Sequence, residues 1–268
     1  MNAPGRLESD ARATAEAVAR RSRGKLVAWL AARSRDVAAA EDALADAFAA
    51  ALADWPARGC PANPEAWLMT VARRRLVDRA RRRRTGDGAA ATLALLAEGM
   101  AAAEPALPDQ RLGLLFACAH PALERSVRAP LMLQAVLGLD TGRIASAFLA
   151  SPAAMAKRLV RAKARIRAAG IPFAVPEPAE LPPRLDAVLE AIYAAFAEGW
   201  TDAAGTDPAR RELTGEAIWL ARLLAGLMPG EPEALGLLAL MLHAEARRPA
   251  RRDAAGDYVP LGWQDPGL

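Results

Sequence analysis

Two proline-rich segments determine where the helices of this chain can begin and end. The first, DWPARGCPANPE at residues 54–65, holds three prolines and a glycine, and the second, GIPFAVPEPAELPP at residues 170–183, holds five prolines. Proline lacks the backbone N–H that a helix interior needs, and it restricts the residue before it. We therefore expect a loop at 54–65 and a domain boundary at 170–183.

The segments around these breaks are rich in alanine and leucine, which favour helix. This composition predicts an all-α protein in which residues 10–84 are helices broken once, at the first proline-rich segment. Residues 85–108 are small and unpatterned at their ends, as in a linker with one short helix. Residues 109–171 are helical again, and residues 184–268 form a C-terminal helical domain whose core holds Leu185, Leu189, Ile192 and Phe196 at helical spacing.

The two halves of the chain carry opposite charge. Residues 173–268 hold 8 Lys/Arg and 15 Asp/Glu, a balance of −7. The whole chain has 35 basic and 31 acidic residues, so residues 1–172 hold the remaining 27 and 16, a balance of +11. Such a division favours a basic half that meets a polyanion, with chance unevenness in a two-domain protein as the alternative.

The arginine run ARRRLVDRARRRRT at residues 72–85 is the sharpest charge feature, with eight arginines and one acid. A helix over 65–84 would place an apolar residue every four positions on one face, at Leu68, Ala72, Leu76 and Ala80. One acid cannot neutralise eight arginines, so a merely solvated face would repel itself, whereas a polyanion would relieve the repulsion. Trp67 beside this run suits stacking of an unpaired base, although a core position is the alternative.

A second basic helix lies just before the second proline-rich segment. Residues 129–171 contain three helical segments, and Asp140 or Thr141 can cap the middle one while Ser151, followed by Pro152, caps the last. The last helix has an apolar stripe formed by Met155, Leu159, Ala162 and Ile166. Its separate basic face is formed by Lys157, Arg158, Arg161 and Arg165, with Lys163 beside it. This pattern predicts a helix-turn-helix whose second helix enters the major groove. A plain basic amphipathic helix is the alternative.

Catalytic and metal-binding patterns are weak in this chain. Glu41, Asp42 and Asp46 form a carboxylate patch on one predicted helix, but no histidine is near them in the sequence, which favours protein docking or a capped helix start over acid–base work. Cys118 and His120 are two positions apart, yet no second ligand pair follows, so a zinc site is disfavoured. We therefore expect no enzyme activity, no metal and no cofactor.

The cellular setting is predicted from cysteine content and apolar runs. Two cysteines are too few for a disulfide framework and suit a reducing compartment. No apolar run approaches the roughly 20 residues of a membrane span, and the N-terminus lacks an apolar signal core. We expect a soluble cytoplasmic protein that contacts no membrane.

The order of these elements resembles an extracytoplasmic-function (ECF) sigma factor of bacterial RNA polymerase. The resemblance runs from about residue 12 to residue 170 and is carried by AEDALADAF, AWLMTVARRRLVDRARR and MAKRLVRAKARI. The segments LLFACAHPAL and EALGLLALMLHAEARRPAR are similar to the subgroup with a helical, tetratricopeptide-like C-terminal extension, and we expect a shortened form of that extension here. The function that the resemblance implies is promoter recognition and melting as a dissociable polymerase subunit.

The resemblance also implies a role for each segment. Residues 10–84 would be a sigma-2-like domain that docks on the polymerase and melts the −10 element, and residues 85–108 a linker threaded along the polymerase. Residues 109–171 would be a sigma-4-like helix-turn-helix that reads the −35 element. Residues 184–268 would be an acidic extension, which we expect to contact the basic domains or the polymerase and to modulate activity.

Site residues follow from the same resemblance. Contacts to the −10 element are expected from Trp67, Arg74, Arg75, Arg79, Arg81 and Arg82. Contacts to the −35 element are expected from Ser151, Ala154, Lys157, Arg158, Arg161, Lys163 and Arg165. Contacts to the β′ subunit of core RNA polymerase are expected from Glu41, Asp42 and Asp46, with promoter DNA and the β subunit as the other partners.

Two other functions compete with this interpretation. A helix-turn-helix regulator would bind duplex DNA without core polymerase, whereas ECF sigma factors typically need it. An interaction scaffold built on the C-terminal domain would leave the arginine run unexplained.

Overall fold

The computed structural model describes residues 4–82, 109–200, 208–253, 255–265 and 267. Ten α-helices and three short 3-10 turns make up these ranges, and they contain no β-strand beyond one isolated bridge between Arg252 and Tyr258. The all-α prediction is therefore confirmed. The predicted linker at 85–108 lies outside the described residues.

The first three helices are α1 (Pro4–Ser34), α2 (Val37–Arg58) and α3 (Pro64–Arg82). The prediction of one break was wrong, because a second break separates α1 from α2. There Asp36 takes an extended conformation and its carboxylate accepts a hydrogen bond from the Ala39 N–H, which caps α2. The proline-rich break is shorter than expected, since α2 continues through Pro56 and ends at Arg58. The next residue, Gly59, caps the helix with φ +83°.

The next four helices are α4 (Arg111–Cys118), α5 (Arg125–Ala135), α6 (Thr141–Ala147) and α7 (Pro152–Ala168). Asp140, rather than Thr141, caps α6 by accepting from two backbone N–H groups. Ser151 caps α7 by accepting from the Ala154 N–H at 3.2 Å, with Pro152 in the first turn, so the predicted cap is confirmed. All four residues of the predicted apolar stripe on α7 are buried.

The chain divides into two compact units, residues 1–188 and 189–268. Helix α8 (Pro182–Trp200) runs across the division, and α9 (Pro208–Leu227) and α10 (Pro232–Ala246) follow in the second unit. Leu185, Ile192 and Phe196 are buried as predicted, whereas Leu189 is half-buried and lines a groove with residues of α10. The expectation for Leu189 was therefore wrong, because part of that helix face is left open.

The first turn of α8 belongs to the N-terminal unit. Asp186 pairs with Arg125 of α5 at 2.8 Å, with both side chains exposed. Arg184 is 4% exposed and directs Nη1 to the carbonyl of Phe116 in α4 at 3.5 Å. Arg184 and Asp186, at the start of α8, are thus anchored to α4 and α5 within the N-terminal unit.

Candidate nucleic-acid interface

Helix α3 separates its apolar and basic residues on two faces. Leu68, Ala72 and Leu76 are buried, as the four-residue spacing predicts, while Ala80 near the end of the helix is only half-buried. Four predicted contact residues are exposed on the outer faces: Arg74, Arg75, Arg81 and Arg82. A row of exposed guanidinium groups on a rigid helix can bind successive phosphates.

One side of α3 forms a groove, here the Arg73 groove, lined by Thr70, Arg73, Arg74, Val77, Asp78 and Arg81. Arg73 was not predicted as a site residue. Its guanidinium carbon lies 5.2 Å from the centre of the buried Trp29 ring, and Arg33 stacks on the same ring at 3.6 Å. Partial burial lowers the pKa of Arg73, and its Nε and Nη2 make no hydrogen bond to a described residue. These buried donors suit an anion in the groove.

The opposite side of α3 forms a second groove, here the Asp46 groove, lined by Ala43, Asp46, Arg75, Arg79 and Arg82. It brings together residues that were predicted for two different partners. Arg79 of α3 donates to Asp42 of α2 at 2.6 Å; the Arg79 side chain is 36% exposed and the Asp42 side chain 59%. The predicted polymerase-binding and −10 residues are therefore adjacent, and Arg79 is less available to DNA than its neighbours.

Trp67 lies at the beginning of α3 and is half-buried. Its ring packs edge-to-face on the buried Trp55, with centroids 5.5 Å apart and planes at 66°. Edge-to-face packing of this kind holds an aromatic side chain in place. Trp67 is thus neither a fully buried core residue nor a freely projecting one.

Helix α7 presents its basic face to solvent. It follows α6 after a four-residue turn, residues 148–151, in which Leu149 has φ +49° and is exposed. Five members of the predicted −35 set are exposed: Ser151, Lys157, Arg158, Arg161 and Arg165. Ala154 is half-buried. The burial pattern leaves this face open to a partner.

Lys163 is the exception among the basic residues of α7. Its ammonium group pairs with the carboxylate of Glu41 in α2, and the two side chains are 10% and 15% exposed. One residue predicted to bind DNA and one predicted to bind polymerase therefore bind each other. Their positions differ by 122 residues, so no local pattern in the sequence indicates the pair.

The residues considered for metal binding do not form a site. Cys118 is fully buried, and burial is the main cause that raises the pKa of its thiol far above the usual value. The Nδ1 atom of His120 accepts a hydrogen bond from the Ala122 N–H, and partial burial lowers the pKa of the ring. Among the described residues, no three His, Cys, Asp or Glu side chains are grouped as metal ligands.

None of the helices in the described ranges carries an apolar stretch that is long enough to cross a membrane.

These features describe an all-helical protein with two exposed basic surfaces, one on α3 and one on α7. Residues 18–85 match the Sigma-70 region 2 family, a range that includes the second half of α1 and the whole of α2 and α3. The match supports a member of the sigma-70 family, which is not an enzyme family. Residues 184–268 match a family of unknown function (DUF6596).

A search of curated proteins finds an uncharacterised protein of Rhizobium meliloti (strain 1021) that is 42% identical over 238 residues. The alignment covers 86% of this chain and 56% of that protein, so the chain spans little more than half the length of this relative. No solved structure matches the chain significantly.

Proposed function

We propose that this chain is an ECF-type sigma factor that directs core RNA polymerase to promoters and opens them. The match of residues 18–85 to Sigma-70 region 2 carries the proposal. In the sigma-70 family this region implies binding to core polymerase and to promoter DNA. A sigma factor acts where the polymerase is, so this proposal places the chain in the cytoplasm.

The basic surface of α3 suits the −10 element. Arg74 and Arg81 lie in the Arg73 groove and Arg75 and Arg82 in the Asp46 groove, so phosphates can be bound on both sides of one helix. Trp67, held by Trp55 at the start of this helix, can stack on a base that leaves the duplex.

Helices α6 and α7 act, on this proposal, as the helix-turn-helix that reads the −35 element. A recognition helix contacts base edges through residues near its N-terminus, and Ser151 and Ala154 hold that position in α7. The exposed Arg158 is one turn further on, where a bidentate contact to guanine is the commonest specific pairing. Arg165, nearer the end of the helix, would bind the phosphate backbone.

The carboxylates of α2 provide the polymerase-docking surface. Asp42 and Asp46 are exposed on one side of the helix, while Glu41 is turned towards α7. We propose that this surface binds a basic region of the β′ subunit, and that the acidic C-terminal unit modulates the activity of the two DNA-binding regions.

Transcription with core polymerase tests the proposal. The chain is mixed with core RNA polymerase from Rhizobium meliloti, purified by pull-down, and supplied with fragmented genomic DNA for run-off transcription. Discrete transcripts that need both components support a sigma factor. Tight duplex binding by the chain alone, without any association with core polymerase, would instead indicate an independent helix-turn-helix regulator.

A further inference from the structure

The C-terminal unit leaves much of its apolar surface uncovered. Among the described residues of the chain, eleven large apolar side chains are exposed, and seven of them lie within residues 189–268. Helix α10 is mostly apolar over its 15 residues, yet only Ala234 and Met241 of this helix are buried. A helix that is apolar on all sides is normally buried, and an exposed apolar patch marks an interaction site.

An open groove lies between α8 and α10, here called the α10 groove. It is lined by Leu189, Glu190 and Tyr193 of α8 and by Pro232, Glu233, Gly236, Leu237 and Leu240 of α10. Two of its apolar side chains are strongly exposed, Leu240 at 55% and Tyr193 at 51%. A Cβ atom added at Gly236 would meet no atom within 4 Å, so the groove has room for a neighbouring backbone. The groove is therefore apolar at its centre, with the exposed carboxylates of Glu190 and Glu233 at its rim.

The groove side of α10 carries a stripe of residues, here called the α10 stripe, that is complementary to itself. Its members recur every three or four positions and are Glu233, Gly236, Leu240, Ala244 and Arg247. The stripe is acidic at its N-terminal end and basic at its C-terminal end, and one small residue separates each end from the central leucine. Arg247, the C-cap of the helix, donates to the neutral side-chain oxygen of Gln264 at 2.6 Å, and this contact leaves its positive charge in place.

Antiparallel pairing aligns two such stripes so that each residue meets a suitable partner. When Leu240 lies opposite Leu240 of a second copy, Glu233 is level with Arg247 of that copy. In the same register Gly236 is level with Ala244, and two small residues allow the helices to approach closely. Parallel pairing would instead place Glu233 beside Glu233 and Arg247 beside Arg247, and like charges at an interface disfavour that arrangement.

We propose that the α10 groove binds α10 of a second copy of this chain, which makes the protein a two-fold symmetric dimer. The same surface serves on both copies, as in other symmetric dimers, and Leu189 and Tyr193 of α8 complete the apolar pocket for the central leucine. A helix of 15 residues is about 22 Å long, so it offers less than the roughly 800 Å² per partner of a standard interface. The dimer should therefore dissociate in the micromolar range. It goes beyond the promoter function proposed for the N-terminal unit and does not depend on it.

Sedimentation equilibrium of the full chain tests the dimer. Over concentrations from about 1 to 300 µM, the wild type should change from mainly monomer to mainly dimer. Leu240→Lys places two like charges at the centre of the interface and should weaken association roughly 100-fold. Leu235→Lys is the matched control, because Leu235 is 44% exposed on the same helix but lies about 140° around the helix axis from Leu240. It should leave association unchanged, and circular dichroism should show the same helix content in both variants.

Charge exchange tests the antiparallel register. Glu233→Arg and Arg247→Glu each bring like charges together at both ends of the interface, so each should weaken association roughly tenfold. The two substitutions in one chain restore the opposite charges and should restore wild-type association. Parallel pairing would give neither the loss nor the recovery, because each end would then meet its own like charge in all four proteins.

Disulfide formation between two differently substituted chains measures the same register directly. The starting protein carries Cys60→Ser, which removes the exposed thiol, while Cys118 is buried. A mixture of a Gly236→Cys chain and an Ala244→Cys chain should form a disulfide-linked dimer when oxidised. Either chain alone should not, because two copies of the same cysteine would lie about 12 Å apart along the helix axis, too far for a disulfide. The reverse result would mean parallel pairing and would contradict the proposal.

Two results of the sedimentation experiment would overturn the dimer. One is a wild-type chain that stays monomeric at every concentration, and the other is a dimer that Leu240→Lys leaves intact. If the chain is monomeric and Leu240→Lys lowers its affinity for core RNA polymerase, the groove binds the polymerase instead of a second copy. Failure of run-off transcription with core polymerase would refute the proposed function alone, since the dimer is measured on the chain without any polymerase.

Discussion

Neutralising the exposed arginines of α3 should flatten the salt dependence of promoter opening. The variant changes Arg74, Arg75, Arg81 and Arg82 to glutamine, which keeps a polar side chain and removes four charges from exposed positions outside the buried core. If each arginine neutralises one phosphate, the slope of log affinity against log salt should fall by about 3.6 on duplex DNA and about 2.8 on a single strand. If the slopes differ by about 3.6, then raising the salt from about 50 to 200 mM should weaken DNA binding roughly 150-fold more in the wild type than in the variant.

The two grooves make the test more specific. Arg74 and Arg81 lie in the Arg73 groove, and Arg75 and Arg82 lie in the Asp46 groove. Each double variant should therefore remove about 1.8 from the slope on duplex DNA if both sides of α3 meet the backbone. A change in only one double variant would identify the side that faces DNA.

The assay is open-complex formation by reconstituted holoenzyme, followed by fluorescence of a labelled promoter over a range of salt concentrations. The control removes the same charge from exposed arginines of α1 and α2, at Arg12, Arg20, Arg21 and Arg58. It should leave the slope unchanged, and binding to core polymerase should survive in both quadruple variants. A wild-type slope in the α3 variant would mean that the arginine run is only a solvated face.

Three further predictions concern the core, the second basic helix and the C-terminal unit. Leu76→Asp should unfold the N-terminal unit, because an unpaired carboxylate at a position that is 4% exposed costs several kcal/mol. The whole free energy of unfolding of a domain is only about 5–15 kcal/mol. A cooperative urea transition near that of the wild type would contradict this prediction. Arg158→Ala should weaken promoter binding by holoenzyme by about 1–3 kcal/mol and reduce the preference for one base of the −35 element. Arg165→Ala should instead weaken binding to all promoters alike. Binding measurements on a set of altered −35 sequences distinguish the two outcomes. Gly199→Ala should lower the free energy of unfolding by about 1–3 kcal/mol because the added Cβ would lie 2.6 Å from a backbone carbonyl of α9. Gly226→Ala, which meets no atom within 4 Å, should instead raise it by about 0.4–1 kcal/mol in the same denaturation assay.

Much of the helical structure could be predicted from local patterns. The buried stripe of α7, from Met155 to Ile166, follows from spacings of three and four residues. Ser151 followed by Pro152 indicates where that helix begins, because both residues act on the first turn alone. The break before α2 escaped prediction because no proline marks it, although Asp36 is an ordinary N-cap residue.

The candidate interface was only partly predictable. Exposed arginines on α3 follow from the phase of its apolar face, since a residue opposite Leu76 must face solvent. Arg73 was missed because it lies at the border of that face, where only the position of Trp29 in α1 decides whether it is stacked or free. Arg79 was predicted as a DNA contact, but Asp42 on the neighbouring helix also competes for its charge.

The sequence by itself determined which segments are helical, where α6 and α7 are capped, and which faces of α3 and α7 carry the charge. These properties depend on backbone propensities and on side chains within about four positions of one another, so they are present in any short window of the chain. Only the tertiary structure decided that Glu41 meets Lys163 and that Gly24 meets Val136. Such contacts join residues more than a hundred positions apart, and their partners are selected by how whole helices pack, which no local pattern encodes.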